Sequence, residues 1–425
     1  MQYEQIINTF ETVFDKTNKT KMFNLSEFYN LIEPQFVECG FRENIKSSQT
    51  NILIIHDAAV GDLIVESATI REIRRLYPCA FITMIVNSRA YDMAEFCPYI
   101  DEIIVNENNI KMLDLVAGLR RNVDIAKQLL PRQFHIAFAF NHYAVTNLLT
   151  YMSGAKFRIA SRKSLDPALV YAVPNAVHCH QFASLITCPV DNEYTHSVDT
   201  CLSLVDYVTF APVSNRSIEV WLSPRDRATA HNYIPNDEIY YAVGIGGSVA
   251  MKQYPPELYA ELLKLIFNYD NAIKFIILGG KEDSESAQII KSKFANVIDC
   301  TGKFNYRESV AIIERCKMYI GNDTGTLHAA SALKIPILTP NCFPADFNMT
   351  NESVPKFWAP YKVPAVVVQP KKALPICVKK PSLSGCNAIH ESHCIKQIMP
   401  ETMFKAFLLL KEKISKNEVI TTYFH

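Results

Sequence analysis

Residues 51–78 read NILIIHDAAVGDLIVESATIREIRRLYP, and this stretch decides the fold. Ile52 to Ile55 is an apolar run of strand length that ends at a short turn. From Gly61 and Asp62 onward, apolar residues recur at helical spacing until Pro78 stops the pattern. Strand, glycine turn and helix make the first half of a βαβ unit. The turn has one odd feature. A phosphate cradle would offer backbone amides there, whereas this chain puts a carboxylate, Asp62, directly after Gly61. The residues alone leave two readings open, a helix N-cap and a base that faces a substrate.

The alternation continues outward. AFITMIVN (80–87), IDEIIVN (100–106) and FHIAFAF (134–140) read as strands, with helices over 90–98 and 111–130. A second series starts at YYAVGIGG (240–247) and runs through AIKFIILGG (272–280), MYIGND (318–323) and IPILTP (335–340). Helices are expected between these strands, near 256–267, 284–294, 306–315 and 324–333. Short β-rich runs separated by helices indicate parallel, doubly wound sheets, so the fold class is α/β. Residues 1–48 read as an N-terminal helical extension. One Rossmann-like domain is expected over 49–225, a second over 226–400, and a C-terminal helix over 401–425.

Length agrees with this division, since 425 residues exceed one ordinary domain. Lysine plus arginine number 43 and aspartate plus glutamate also 43, so the chain lacks the surplus positive charge of a dedicated nucleic-acid binder. Its start carries no basic segment followed by an apolar core, and no apolar stretch reaches bilayer length. The twelve cysteines are scattered rather than spaced as a disulfide framework. A cytoplasmic protein with reduced thiols is expected, with peripheral contact at the inner face of the membrane left open by a lipid-linked partner.

Glycine is scarce, and its placement is informative. Eight of the 13 glycines lie between Gly244 and Gly325, most at the carboxyl ends of expected strands, where open α/β sheets bind ligands. The second domain is therefore the expected nucleotide-binding one. It has neither G-x-G-x-x-G nor a P-loop, which sets aside dinucleotide oxidoreductases and P-loop nucleotidases. In MYIGNDTGTLHAASALKIPILTP (318–340), Asp323, Thr324 and Gly325 mark a strand-to-helix junction, and His328 lies one turn in. Such a helix start attracts phosphate oxygens. The plain alternative is Asp323 as N-cap to the Gly325 or Thr326 amide. GIGGSVAMKQYPPELYAELLKLI (244–266) offers Ser248 and Lys252 in the same manner, with a solvated loop lysine as the alternative. In FIILGGKEDSESA (275–287), Glu282 and Asp283 suit ribose hydroxyls, or simply a helix start.

Together these segments resemble the glycosyltransferase family 9 heptosyltransferases. The opening stretch is similar to that family's strand followed by Gly-Asp. LTYMSGAKFRIA (149–160) resembles its Ala-Gly-x-x-x-Arg-Ile segment, THSVDTCLSLV (195–205) its His-x-Val-Asp helix, and GNDTGTLHAASALKIPILT (321–339) its Asp-Thr-Gly-x-x-His-x-x-Ala-Ala signature. The Lys-Arg-Trp-Pro loop is matched with Gln253 and Tyr254 in place of arginine and tryptophan. The resemblance implies a GT-B architecture in which two Rossmann-like domains face a cleft. It also implies an inverting transfer from an ADP-heptose-like donor with no cofactor and no divalent metal. Its catalytic aspartate falls on Asp62, and its donor contacts fall on Ser248, Lys252, Asp323, Thr324, Gly325 and His328, with Asp283 or Glu282 at its acidic donor contact. A glycan of lipopolysaccharide type, a glycolipid or a protein hydroxyl would be the acceptor. The altered loop also admits another nucleotide-sugar donor, and a non-catalytic sugar-nucleotide or glycan-binding protein is the rival from a different class.

Two weaker signals complete the reading. Arg120, Arg158 and Arg162 concentrate positive charge that would suit an anionic acceptor. Cys377, Cys386, His390, His393 and Cys394 crowd into CVKKPSLSGCNAIHESHC (377–394). Such density could ligate zinc or iron, through a cluster of Cys377, Cys386, His390 and Cys394. With no Cys-x-x-Cys spacing, reduced thiols in a packed turn are the preferred reading, and no metal ligand is assigned.

Overall fold

In a computed structural model, residues 50–106, 115–140, 146, 149, 150, 152–155, 157–161, 185–187, 196–209, 212–234, 238–346, 355–378 and 389–425 are described. The expected helical extension over 1–48 lies outside the described residues. The described residues form two compact units. One holds those of 50–59, 68–193 and 198–216, and the other those of 60–67, 194–197 and 217–425.

The first unit is built on a six-stranded parallel sheet in the order β3-β2-β1-β4-β5-β6. Its strands are β1 (Asn51–His56), β2 (Phe81–Asn87), β3 (Glu102–Asn106), β4 (Ile136–Ala139), β5 (Phe157–Ser161) and β6 (Leu185–Thr187). Ile52, Leu53, Ile54 and Ile55 of β1 are wholly buried, as a central strand covered on both faces requires. Helix α1 (Val60–Leu76) follows directly, then α2 (Ser88–Ala94), α3 (Leu115–Leu129) and α4 (Ser197–Thr209). Asn87 starts α2 by accepting a hydrogen bond from the Arg89 amide at 2.9 Å.

The second unit carries a seven-stranded parallel sheet, β13-β12-β11-β10-β7-β8-β9. Its strands are β7 (Ile239–Gly244), β8 (Ile273–Leu278), β9 (Val297–Asp299), β10 (Met318–Gly321), β11 (Ile337–Pro340), β12 (Ala365–Val368) and β13 (Thr421–Phe424). The helices are α5 (Pro224–Tyr233), α6 (Pro256–Tyr269), α7 (Ser284–Lys293), α8 (Tyr306–Glu314), α9 (Gly325–Ala332), α10 (Pro375–Val378) and α11 (Pro400–Ser415). Strand order reverses between β10 and β7, which pair with Gly321 opposite Gly244. This is the switch point at which open α/β sheets bind their ligands.

The domain limits differ from those expected. The second unit begins at Ser217, where Ile218, Trp221 and Leu222 are already buried and Ser223 with Asp226 closes a capping box on α5. Residues 401–425 are not a separate helix. In α11, Met403, Ala406, Phe407 and Leu410 are wholly buried in the core of the second unit, and Thr421–Phe424 pair with Ala365–Val368 as the last strand of its sheet. Val60–Ser67 of α1 also cluster with the second unit. Among the described residues, no helix is long and apolar enough to cross a membrane.

Two glycines at the switch point are required by a tyrosine. The hydroxyl of Tyr319, on β10, passes over Gly244 and Gly321 to reach Thr326 Oγ1 at 2.7 Å. A Cβ on Gly244 would lie 2.0 Å from that hydroxyl oxygen. The Gly244→Ala variant is expected to lose about 1–3 kcal/mol of stability by overpacking. Chemical denaturation of both proteins checks this, and an unchanged midpoint would remove the steric account.

Candidate active site

The site grows from the carboxyl end of β10. Asn322 is wholly buried just beyond the strand and uses both ends of its amide. Its Nδ2 donates to the Ile245 and Gly246 carbonyls at 2.7 and 3.1 Å. Its Oδ1 accepts from the Tyr254 amide at 3.1 Å and from the Tyr259 hydroxyl at 2.9 Å. One side chain therefore ties the glycine loop after β7, the segment after Lys252 and the end of β10 together. A fully satisfied buried amide fixes geometry in this way. Nothing in the sequence singles out Asn322, because its value lies in four partners distant along the chain.

The next residue turns the opposite way from the capping alternative. Asp323 does not cap α9: Thr324 occupies the N-cap position and makes no side-chain cap bond. The Asp323 carboxylate instead pairs with Lys252 Nζ at 2.9 Å, and that ammonium also lies 3.4 Å from the Asp323 carbonyl oxygen. Lys252 is thus no solvated loop lysine. Burial opposes its charge, but the Asp323 carboxylate, with Asp62 contributing, outweighs burial and raises its pKa. The start of α9 is left to backbone amides and the hydroxyls of Thr324 and Thr326, 3.0 Å apart. Amides without a side-chain cap, beside a fixed cation, form an anion site.

The start of α1 meets the start of α9. A Cβ on Gly61 would come within 3.0 Å of Gly325 Cα and 3.1 Å of His328 Cδ2. Glycine at both places lets the two helix starts touch. Asp62 is the third residue of α1 rather than its N-cap, since the helix begins at Val60. Its carboxylate is close enough to raise the pKa of both Lys252 and His328. His328 is buried, and burial prevails over Asp323 and Asp62 to keep its pKa below the usual histidine value. At neutral pH it is therefore a neutral imidazole that offers one N–H and one lone pair. Trp358 stands edge-on to it, with ring centroids 6.3 Å apart.

The glycine loop is braced by the residue that departs from the family loop. Gln253 Nε2 donates to the Gly247 carbonyl at 2.8 Å, and Tyr254 donates its hydroxyl to the Ile398 carbonyl at 2.7 Å. Ser248 is exposed on this loop. Asp283 braces the turn after β8. Its Oδ2 accepts the Gly280 amide at 2.8 Å, and Cβ atoms on Gly246 or Gly279 would lie 2.7 Å from it, so it packs the turn from inside. Glu282 is the exposed carboxylate there.

A model of glycosyltransferase family 9 (heptosyltransferase) matches residues 124–386. The chain belongs to glycosyltransferase family 9. Among family relatives, a putative glycosyltransferase of Haemophilus influenzae is 21% identical over 328 residues, 73% of this chain and 85% of that one. The lipopolysaccharide core heptosyltransferase OpsX of the same organism is 20% identical over 291 residues, 68% and 78% of the two chains. Solved family 9 structures share the fold. A glycosyltransferase of Veillonella parvula superposes with a TM-score of 0.65 at 19% identity, covering 86% of this chain and 98% of that one. The ADP-heptose lipopolysaccharide heptosyltransferase II of E. coli gives 0.63 at 17% identity, with 86% and 100% covered. The two parallel-sheet units are those of the GT-B class, and the protein is a glycosyltransferase.

The remaining expected residues of this family 9 chain divide. Asp62, Lys252, Asp323, Thr324, Gly325 and His328 come together, with Ser248 on the braced loop. Arg158 is buried in β5, and its guanidinium donates to the Ala155 carbonyl at 3.1 Å. Arg162 and Cys386 lie outside the described residues, as does the side chain of Arg120. His390 is exposed, and the histidine that joins Cys377 and Cys394 is His393.

Proposed function

We propose that this family 9 enzyme transfers a heptose-type sugar from an ADP-sugar to a glycan hydroxyl, with inversion and without a catalytic metal ion. One observation carries the reading: Lys252 is held at the uncapped start of α9, within the field of Asp62. The diphosphate lies over the Gly325 and Thr326 amides with Lys252 beside it. Glu282 is the carboxylate offered to ribose. Asp62 takes the proton of the acceptor hydroxyl as its oxygen bonds to the anomeric carbon. The bond from that carbon to the β-phosphate oxygen breaks, and the electron pair leaves with ADP. Attack opposite the leaving group inverts the centre. The extra negative charge on ADP is met by Lys252 and the helix amides, the task a divalent ion performs elsewhere.

The names of the relatives support the donor and acceptor classes, since one is a lipopolysaccharide core heptosyltransferase and another an ADP-heptose heptosyltransferase. ADP-heptose at about 100 times its dissociation constant should add about 2.7 kcal/mol of stability, read as a rise in melting temperature. A UDP-sugar that stabilises where ADP-sugars do not would overturn the donor. Transfer measured within minutes of adding excess EDTA should proceed at the untreated rate. Loss of activity that added magnesium or manganese restores would overturn the metal-free step.

A further inference from the structure

Away from the residues given to catalysis, one side-chain cluster has ligand chemistry of its own. Cys377, His393 and Cys394 are all buried, and their ligating atoms lie within 4.8 Å of one another. Cys377 Sγ is 3.0 Å from Cys394 Sγ and 3.1 Å from His393 Nδ1. Cys377 comes from the short helix α10, and Cys394 opens a 3₁₀ turn, Cys394–Gln397. We propose that these three residues bind one structural zinc ion.

The donor set selects the metal class. Two thiolates and an imidazole, with no carboxylate oxygen among them, suit zinc and exclude magnesium or calcium. Zinc with sulfur at about 2.3 Å and nitrogen at about 2.0–2.1 Å places tetrahedral ligands roughly 3.6 Å (sulfur to nitrogen) and 3.8 Å (sulfur to sulfur) apart. From Cys377 Sγ, the separation to His393 needs to open by about 0.5 Å and that to Cys394 by about 0.8 Å to accept it. Charge balance agrees with burial. Two thiolates neutralise the dication and the imidazole adds no charge, so with a neutral ligand in the fourth tetrahedral position no net charge is placed in the apolar core around Ile395 and Ile398. The Leu374 amide points at Cys394 Sγ from 3.5 Å, an outer-shell donor of the kind that steadies a metal thiolate.

The position gives the ion a purpose. The Cys394–Gln397 turn packs against the Ala250–Lys252 turn, and the Ile398 carbonyl next to it receives the Tyr254 hydroxyl. Joining α10 to Cys394 fixes the support on which the Lys252 loop rests. The ion acts on the site through that loop, so this assignment stands whichever sugar nucleotide is the donor.

The test uses the full-length protein, without a histidine tag and purified without added metal. Elemental analysis is expected to give about one zinc per chain, and the Cys377→Ser/Cys394→Ser variant less than about a tenth of that. Cobalt(II) replacing zinc should give the intense sulfur-to-metal absorption of a thiolate site, lost in Cys394→Ser. Melting temperature should fall when a strong chelator strips the ion during prolonged incubation and recover on adding zinc. Zinc buried among thiolates survives brief EDTA, so metal content measured on the briefly treated enzyme separates this ion from a catalytic one. Wild-type protein that holds no zinc and takes none from a chromophoric chelator would overturn the site, whether or not the variants fold. So would a Cys377–Cys394 disulfide found by mass spectrometry, and iron in place of zinc would overturn the choice of ion.

Discussion

Asp62→Asn is expected to slow turnover by a factor of about 10² to 10⁴ while leaving the protein folded and its donor bound. Asparagine keeps the size of the side chain and its capacity to accept a hydrogen bond, but it cannot take a proton from an attacking hydroxyl. Asp62 is the third residue of α1, so loss of its charge also removes a favourable interaction with the helix dipole, about 0.3–1 kcal/mol. That cost is small beside the catalytic one. Donor affinity should change little, because Lys252 and the start of α9 remain as they were. Three measurements separate a base from a helix-start residue: melting temperature, donor dissociation constant and the single-turnover rate. A variant with near-normal turnover would leave Asp62 a structural carboxylate and the base elsewhere.

Lys252→Met should fail differently, in binding as well as in rate. The ammonium pairs with Asp323, whose side chain is 10% exposed, while Lys252 itself is 26% exposed. Removing it leaves a nearly buried carboxylate without its cation, a loss of about 1–3 kcal/mol. The Asp323 charge would then face the diphosphate unneutralised, so the donor should bind much more weakly. A cation that meets charge developing on the leaving group is worth about 10² to 10³ in turnover. Lys252→Arg should recover part of the affinity, since it restores the charge with a different shape. Equal donor affinity in Lys252→Met and the parent enzyme would remove Lys252 from the diphosphate site.

Residue order and periodicity determined a good deal by themselves. The apolar run of Ile52–Ile55 forms a central strand, the helical spacing after Gly61 becomes α1, and the glycine-rich strand ends fall at the β10–β7 switch point. Those features are local: a strand's burial and a helix's apolar face are written in consecutive residues. The family signature at 323–332 is local too, so Asp323, Thr324, Gly325 and His328 could be named before any fold was known. Ala365–Val368 and Thr421–Phe424 carry no strand signal that stands out in the sequence, the latter because four residues at a sheet edge show no clear alternation.

Tertiary structure decided what each side chain does. Asp323 and Asp283 look alike in sequence, each an acid at a strand-to-helix junction. Only the fold brings Lys252 to Asp323, 71 residues apart along the chain, and turns Asp283 inward onto Gly246 and Gly280. Asn322 gains its importance from Ile245, Gly246, Tyr254 and Tyr259, none of them its neighbour in sequence. His393 rather than His390 joins the cysteines because the turn buries one imidazole and exposes the other. A residue's type sets the chemistry it can perform. Its partner, its burial and therefore its charge state come from segments that pack together only in the folded chain, where desolvation and distant charges outweigh local preference.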